Sequence, residues 1–244
     1  MGSIGPSPLP YWQTNIPPAF RSETCPPYLL NQPAKNIRIL STHPSQHPDM
    51  SWAELRDVIA RNALGELNRR PLDLYYYKKC AWELGKRWGG VAEYVLGGKL
   101  GWVVGEGGMG GGKDNVGRLF ERSEDYRVLR NDFPYALERG IVHLVVWTKF
   151  VFEEDKETGE LTEEMRGVVE GWVGRMFRER CGTENVMWFV NPPALKSIKS
   201  VEHFHIMLRD PDPKFVEEVT GDNGEGVNER VTIEKLMGVK VYGE

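Results

Sequence analysis

Val201-Glu202-His203-Phe204-His205-Ile206-Met207-Leu208 is the stretch that says most about the fold. It is rich in β-branched, aromatic and aliphatic residues and therefore predicts a strand. Because alternate side chains of a strand point to the same face, we expect His203 and His205 to project together, with Met207 beside them. Two imidazoles on one face indicate a candidate reaction site.

Three upstream segments of similar character bring the number of predicted strands to four; they span residues 126–129, 141–152 and 186–190. Between the second and third of the four strands, apolar residues at three- and four-residue spacing predict an amphipathic helix that Thr162 caps and Gly182 ends. The apolar residues of this helix are Met165, Val168, Val169, Trp172, Val173, Met176 and Phe177. We predict an α+β fold in which helices pack against an antiparallel sheet.

Two helices are expected before the sheet. Ser51-Trp52-Ala53-Glu54 has the capping-box pattern that starts the first, and we expect Pro71 to end it. A second amphipathic run extends from Leu74 to Trp88 and ends at Gly89-Gly90. The segment 91–104 stays open between helix and strand, because glycines interrupt its apolar pattern.

The 244 residues fit one large domain with a segment at each end. Ten of the sixteen prolines lie in residues 1–50, so we expect an extended N-terminal segment, either docked on the domain or disordered. The single domain is predicted over 51–209, with a glycine-rich loop at 105–117 and an acidic tail over 210–244. The loop matches part of a phosphate-binding pattern, but Asp114 stands where Ser or Thr should bind magnesium. We interpret the loop as a flexible insertion.

Charge and cysteine content exclude several classes of protein. The net charge of -4 arises in the last 36 residues, so the remainder has no basic signature of nucleic-acid binding. Three widely spaced cysteines indicate neither a disulfide framework nor a cysteine zinc site. There is no signal-peptide pattern and no apolar run long enough to span a membrane. We expect a cytosolic or nuclear protein that binds neither membranes nor nucleic acid, and its oligomeric state stays open.

The order of segments resembles that of the histidine-triad superfamily. The residues that carry the resemblance are Asn131 to Tyr135, the strand from His143 to Lys149, the amphipathic helix, the strand ending at Asn191, and 203–208. The resemblance implies that His205 is a nucleophile that attacks the α-phosphate of a nucleotide. It further implies that His203 supports His205 by hydrogen bonding, and that His143 lies near the nucleotide.

The same resemblance implies a set of substrate-binding residues, to which Asn191 and Ser200 belong. The sequence departs from the triad at Met207, because a thioether has no proton to give to a phosphate or leaving group. Lys196 and Lys199, in the loop before the last strand, are candidates to supply positive charge to a phosphate instead.

A second resemblance covers most of the chain from Tyr11 to Arg209. Tyr11-Trp12-Gln13, Asn15-Ile16-Pro17 and the segments around residues 131–149 and 201–208 are similar to the fungal N-acetylglucosamine-induced protein 1 family. That family has no assigned reaction, so the resemblance implies relatives rather than a chemistry.

Three functional hypotheses follow, and we expect no cofactor for the first two. The first is a nucleotide or nucleotide-sugar phosphoester hydrolase or transferase that acts through His205. The second is a non-catalytic protein that senses a phosphorylated sugar or nucleotide in N-acetylglucosamine-related metabolism. The third is a metal site formed by His143, His203 and His205. The structural alternative, in which the imidazoles are buried neutral core residues, stays open beside them. The expected partner is a small phosphorylated metabolite.

Overall fold

The computed structural model describes residues 9–102 and 119–221. Its centre is one antiparallel sheet with the strand order β1-β2-β4-β3. The strands are β1 (Tyr126–Arg130), β2 (Ile141–Thr148), β3 (Val186–Phe189) and β4 (Glu202–Arg209). The predicted α+β class and the antiparallel sheet are therefore confirmed.

Helices precede, interrupt and follow the strands. They are α1 (Ala34–Ser41), α2 (Trp52–Ala60), α3 (Pro71–Trp88), α4 (Val91–Glu93), α5 (Glu163–Val173) and α6 (Pro213–Thr220). Helix α4 continues into a π-helical turn, Tyr94–Lys99, and α5 continues through Gly174–Arg178 to Glu179–Cys181. Within the described ranges, none of these helices has the length and apolar character needed to cross a bilayer.

The alternation of side chains along β4 divides the protein into two layers. Phe204, Ile206 and Leu208 are fully buried on one face, in a core that α5 and α6 complete. His203 and His205 lie on the opposite face, where α3 and α4 cover the neighbouring residues of β2. One strand therefore supplies both the centre of the core and two of the candidate site residues.

Three of the predicted helix ends are confirmed, namely two starts and one C-terminal end. Ser51 and Glu54 form a complete capping box at the start of α2. The Oγ1 atom of Thr162 accepts a hydrogen bond of 3.2 Å from the Met165 backbone N–H at the start of α5. Gly89 ends α3 with a left-handed φ of 85°, a conformation that glycine adopts without a steric cost.

The structure corrects one expectation for the helical region and decides another that was open. Pro71 does not end α2, which stops at Ala60, but is the first residue of α3. The first position of a helix tolerates proline, because its missing N–H would have no partner there. The segment after Gly90, which was open between helix and strand, is helical as far as Lys99.

The two ends of the described chain contain helices that the sequence did not predict, and the N-terminal segment is docked on the domain. The predicted extended N-terminal segment contains α1, and Leu29 and Leu40 from this segment are buried with Leu74 of α3. The predicted acidic tail begins with α6, whose Phe215 is buried in the core of the sheet. The glycine-rich loop at 105–117 and residues 222–244 of the tail lie outside the described residues.

Candidate functional site

The three histidines singled out in the sequence lie together on one face of the sheet. His143 on β2 and His205 on β4 are joined by a hydrogen bond of 2.9 Å between Nε2 and Nδ1. The His203 and His205 rings are 5.6 Å apart between centroids. Each of the three residues is only 5% exposed. The shared location therefore lies inside the protein, with little surface open to bulk water.

Asn131 fixes the direction of the hydrogen bonds in this group. Its Oδ1 accepts a 3.0 Å bond from the Phe133 backbone N–H, so its Nδ2 donates to His143 Nε2 at 3.2 Å. His143 Nε2 is then the nitrogen without a proton, and it also accepts from His205 Nδ1–H. The reverse assignment would place two donors against each other.

This direction leaves the lone pair of His205 on Nε2. The side-chain Nδ2 of Asn191, which follows β3, lies 2.9 Å from that nitrogen and donates to it. Phe189 stacks on a face of the His205 ring, with the two ring centroids 4.9 Å apart. The ring of His205 is thus held in one orientation, with its unprotonated nitrogen facing Asn191.

His203 is fixed by its own backbone contact. Its Nδ1 lies 2.9 Å from the carbonyl oxygen of Val201, so Nδ1 carries the proton and Nε2 is an acceptor. The Trp147 ring of β2 lies 4.5 Å from the His203 ring between centroids. His203 can therefore accept a hydrogen bond from a ligand but cannot donate one in this form.

Burial keeps all three imidazoles neutral at pH 7. It lowers the pKa of His143 to about 3 and the pKa of His203 to about 4. The pKa of His205 also lies well below its usual value, because burial disfavours the charged ring and the nearby His143, His203 and Arg69 add to that effect. A neutral imidazole with a free lone pair is the form that acts as a nucleophile.

A cavity of about 110 Å³ opens beside His203 and His205. This volume is well above the ~10–15 Å³ that one water needs and approaches the ~150 Å³ of an engineered cavity that binds benzene. His143 lies behind His205 and is not among the lining residues. The wall combines aromatic rings with a few polar groups, namely Tyr77, Tyr94, Phe133, Tyr135, Trp147, Arg69, Lys99, Asn131, Asp132, Asn191 and Ser197.

Two polar atoms of residues that line this cavity have no hydrogen-bond partner among the described residues. They are the indole Nε1 of Trp147, a donor, and Oδ1 of Asn191, an acceptor. An unpaired buried polar group costs roughly 1–3 kcal/mol, so proteins rarely keep one without a ligand or water to satisfy it. Both atoms are buried in the wall itself, each with almost no accessible surface, so a polar partner would reach them only after a small shift of the side chains.

The basic and hydroxyl residues expected to bind substrate lie elsewhere. The Nζ atom of Lys196 is 2.9 Å from a carboxylate oxygen of Glu202 and 3.5 Å from one of Glu154. Lys199 and Ser200 are exposed, and neither lines the cavity. Of the four predicted substrate-binding residues, only Asn191 lines the cavity. Ser200 was proposed from its position in the histidine-triad resemblance, and Lys196 and Lys199 were proposed for their charge; the structure engages Lys196 with two carboxylates and leaves the other two residues exposed.

The three-histidine metal site is not supported by this arrangement. His143 Nε2 and His205 Nδ1 are bonded to each other, and His203 Nδ1 is bonded to backbone, so the three rings do not direct lone pairs at one point. Over the ranges that the structure describes, no three His, Cys, Asp or Glu side chains are grouped in a way that could hold a metal ion.

Several residues of the site were not predicted. Asn131 and Tyr135 stood in a recognised motif, but nothing in the sequence assigned them a contact with His143. Trp147 lies on the same strand face as His143, and alternation along β2 is a signal that could have found it. Arg69 comes from the turn before α3, far from the sheet in sequence, and no local pattern indicates its location.

Comparisons with known proteins show relatives but no reaction. The chain is 29% identical over 183 residues to the Saccharomyces cerevisiae protein described as "Uncharacterized protein YPL067C", a match covering 72% of this chain and 87% of the relative. It is 31% identical over 111 residues to "N-acetylglucosamine-induced protein 1" of Candida albicans, a match covering 44% of each chain. The second match agrees in part with the resemblance found in the sequence.

The solved structure described as "Crystal Structure of HTC1" superimposes with a TM-score of 0.53 at 30% identity, covering 70% of this chain and 94% of that chain. The descriptions of these three proteins do not name the histidine-triad superfamily, so that resemblance stays a hypothesis. A family model matches residues 51–209, which are more than half of the chain and include the sheet, α2 to α5 and the three histidines. The chain therefore belongs to the family described as "Protein of unknown function (DUF3605)".

Proposed function

We propose that this protein is a phosphoester hydrolase or transferase that acts on a nucleotide or nucleotide sugar with His205 as its nucleophile. The observation that carries the proposal is the directed hydrogen-bond chain from Asn131 through His143 to His205. This chain holds the proton on His205 Nδ1 and leaves the lone pair on Nε2, beside the cavity. Nucleophilic catalysis by imidazole requires this tautomer and a fixed ring.

The proposed reaction begins when His205 Nε2 forms a bond to phosphorus. The bond from phosphorus to the leaving oxygen breaks, and that oxygen keeps the electron pair. The Asn191 amide, which donates to Nε2 at rest, transfers its hydrogen bond to a phosphoryl oxygen, where charge develops. A water or acceptor hydroxyl then attacks phosphorus, the lone pair returns to Nε2, and the attacking group loses one proton to solvent.

The leaving group decides which substrate suits this site. His203 Nδ1–H is bonded to a backbone carbonyl and its Nε2 has no proton, and Met207 is fully buried with α2, so neither residue can protonate a leaving oxygen. A sugar phosphate leaves as a stable anion, with a second pKa of ~6, whereas an alkoxide must be protonated. The pyrophosphate bond of a nucleotide sugar is therefore favoured over a simple ester.

The first prediction is a covalent adduct on His205. Incubation with a panel of nucleotide sugars is expected to add one nucleotidyl group to the intact protein. The adduct should survive at alkaline pH and be lost in acid, as phosphorus-nitrogen bonds on imidazole are acid-labile. Intact-protein and peptide mass spectrometry measure the mass and its position.

Matched histidine variants test whether the position is specific. His205→Asn is expected to abolish both adduct and turnover, whereas His43→Asn, which changes an exposed histidine outside the site, should leave both unchanged. If the wild-type protein shows neither adduct nor turnover with any member of the panel, the enzyme proposal fails.

A second candidate function is sensing of a phosphorylated sugar or nucleotide without chemistry. It is favoured by the 2.9 Å contact of Asn191 with His205 Nε2, which already satisfies the nucleophile, and by Met207 at the third triad position. The name of the Candida albicans relative, which refers to induction by N-acetylglucosamine, suggests metabolites of that sugar as first candidates. Sensing predicts ligand stabilisation in a thermal-shift assay that persists in His205→Asn, without turnover in either protein.

A further inference from the structure

Arg69 is a cation at the cavity wall that the sequence did not point to. It precedes α3, and its Nε donates a 2.9 Å hydrogen bond to the carbonyl oxygen of Phe133. Its guanidinium carbon lies 4.2 Å from the centre of the Tyr77 ring and 5.6 Å from that of Tyr135. A backbone bond and two aromatic rings therefore hold the guanidinium plane in place.

The two terminal nitrogens of Arg69 remain available. In the described parts of the chain, neither makes a hydrogen bond or an ion pair, although Arg69 lines the same cavity as His205. Two other basic groups of the described chain near this face are already engaged. Lys99 bonds to Asp132 at 2.7 Å, and Lys196 lies between two carboxylates.

The positive charge of Arg69 acts on two of the histidines. It is one of the groups that lower the pKa of His143 and of His205, after the larger effect of burial. Asp132 is the carboxylate of the cavity wall, and it is bound to Lys99. The side of the cavity next to His205 therefore has a positive charge. The terminal N–H groups of Arg69 are arranged in the fork geometry that fits two oxygens of one anion.

We propose that Arg69 binds the phosphoryl group of the substrate, a role that rests on the proposed phosphoester chemistry. A fixed guanidinium grips two phosphoryl oxygens and leaves the phosphorus open to His205 Nε2. The cavity, at about 110 Å³, takes the phosphoryl group and adjoining atoms, and the rest of a nucleotide sugar extends beyond it.

Inorganic phosphate is the probe that tests this role, because its binding requires no turnover. Thermal unfolding of the full chain is followed against phosphate concentration, with acetate at matched ionic strength as the reference anion. Phosphate is expected to stabilise the wild-type protein and acetate is not. Arg69→Lys and Arg69→Met should each weaken the apparent phosphate affinity by roughly tenfold or more. Lysine keeps the charge but loses the bidentate geometry, and methionine loses both.

Arg70 provides a matched control. It is the next residue, but its guanidinium is turned to Asp49, at 2.6 Å, and to the carbonyl oxygen of Leu137. Arg70→Met removes the same charge and should leave the phosphate response unchanged. Stabilisation that is equal in Arg69→Met and the wild type, or equal for phosphate and acetate, would overturn the assignment, as would no phosphate response in the wild type.

The His205→Asn variant separates this inference from the proposed reaction. If phosphate binding depends on Arg69 and persists in His205→Asn, while no adduct ever forms on the wild type, Arg69 keeps its role and the enzyme proposal fails. If the adduct forms but the phosphate response is the same in Arg69→Lys and the wild type, the role of Arg69 fails and the nucleophile stands.

Discussion

The free energy of unfolding is expected to fall by about 2 kcal/mol for each of His143 and His203 as the pH is lowered from 7 to 5, and His205 adds a further loss in the same direction. Each has a folded-state pKa below the ~6.5 of an unfolded chain, because burial disfavours the charged ring. The unfolded state therefore binds more protons than the folded state. The stabilisation is complete above pH 6.5 and is lost as the pH falls from there towards 4 and 3.

Denaturant titrations at half-unit pH steps measure this loss, and their slope gives the number of protons taken up on unfolding. A slope that approaches three protons between pH 6 and 5 is expected, apart from the contribution of carboxylates. His203→Gln should reduce that slope by one. A stability that stays level from pH 7 to pH 5 would show that the rings are protonated in the folded protein.

Phe204→Ala is expected to lower the free energy of unfolding by about 3–5 kcal/mol. Phe204 lies between His203 and His205 in the sequence, but its side chain is on the other face of β4 and is fully buried there. Its ring meets the rings of four aromatic residues, so truncation leaves a cavity that they cannot fill without moving. These residues are Phe120, Phe152, Trp172 and Trp188.

Urea unfolding measured on Phe204→Ala and on a surface control checks this estimate. Phe20 is 74% exposed, and Phe20→Ala should change the stability by no more than about 0.5 kcal/mol. Because Phe204 is not part of the cavity wall, the folded fraction of Phe204→Ala should respond to phosphate like the wild type. Equal stability of the two variants would mean that the core of the sheet is not packed around Phe204.

The sheet and its two central strands could be predicted from sequence because their signals are local. β-branched and aromatic residues define β2 and β4, and alternation assigns His203 and His205 to one face. The cap at Thr162 likewise depends on residues a few positions away. The prediction for Pro71 is wrong because proline both disfavours a helix interior and suits a helix start, and the sequence alone does not decide between the two.

The composition of the site could be predicted only in part, because its members come from distant segments. The contact of His143 with His205 depends on the pairing of β2 with β4, which no spacing reveals. Arg69 reaches the cavity through the packing of the turn before α3 against Phe133. Lys196 was a candidate on charge alone, and the two carboxylates that engage it are 6 and 42 positions away in the chain.

The division of β4 between two faces ties the appearance of the site to the completion of folding. A shift of one residue in the pairing of β4 would turn the imidazoles into the hydrocarbon layer and expel the Phe204 ring from it. A misaligned chain is therefore destabilised both by the buried imidazoles and by the exposed Phe204 ring. It also presents no organised pair of imidazoles to a ligand. Any activity measured for this protein should then be proportional to the fraction of correctly folded molecules. The specific activity of a refolded preparation would therefore measure that fraction.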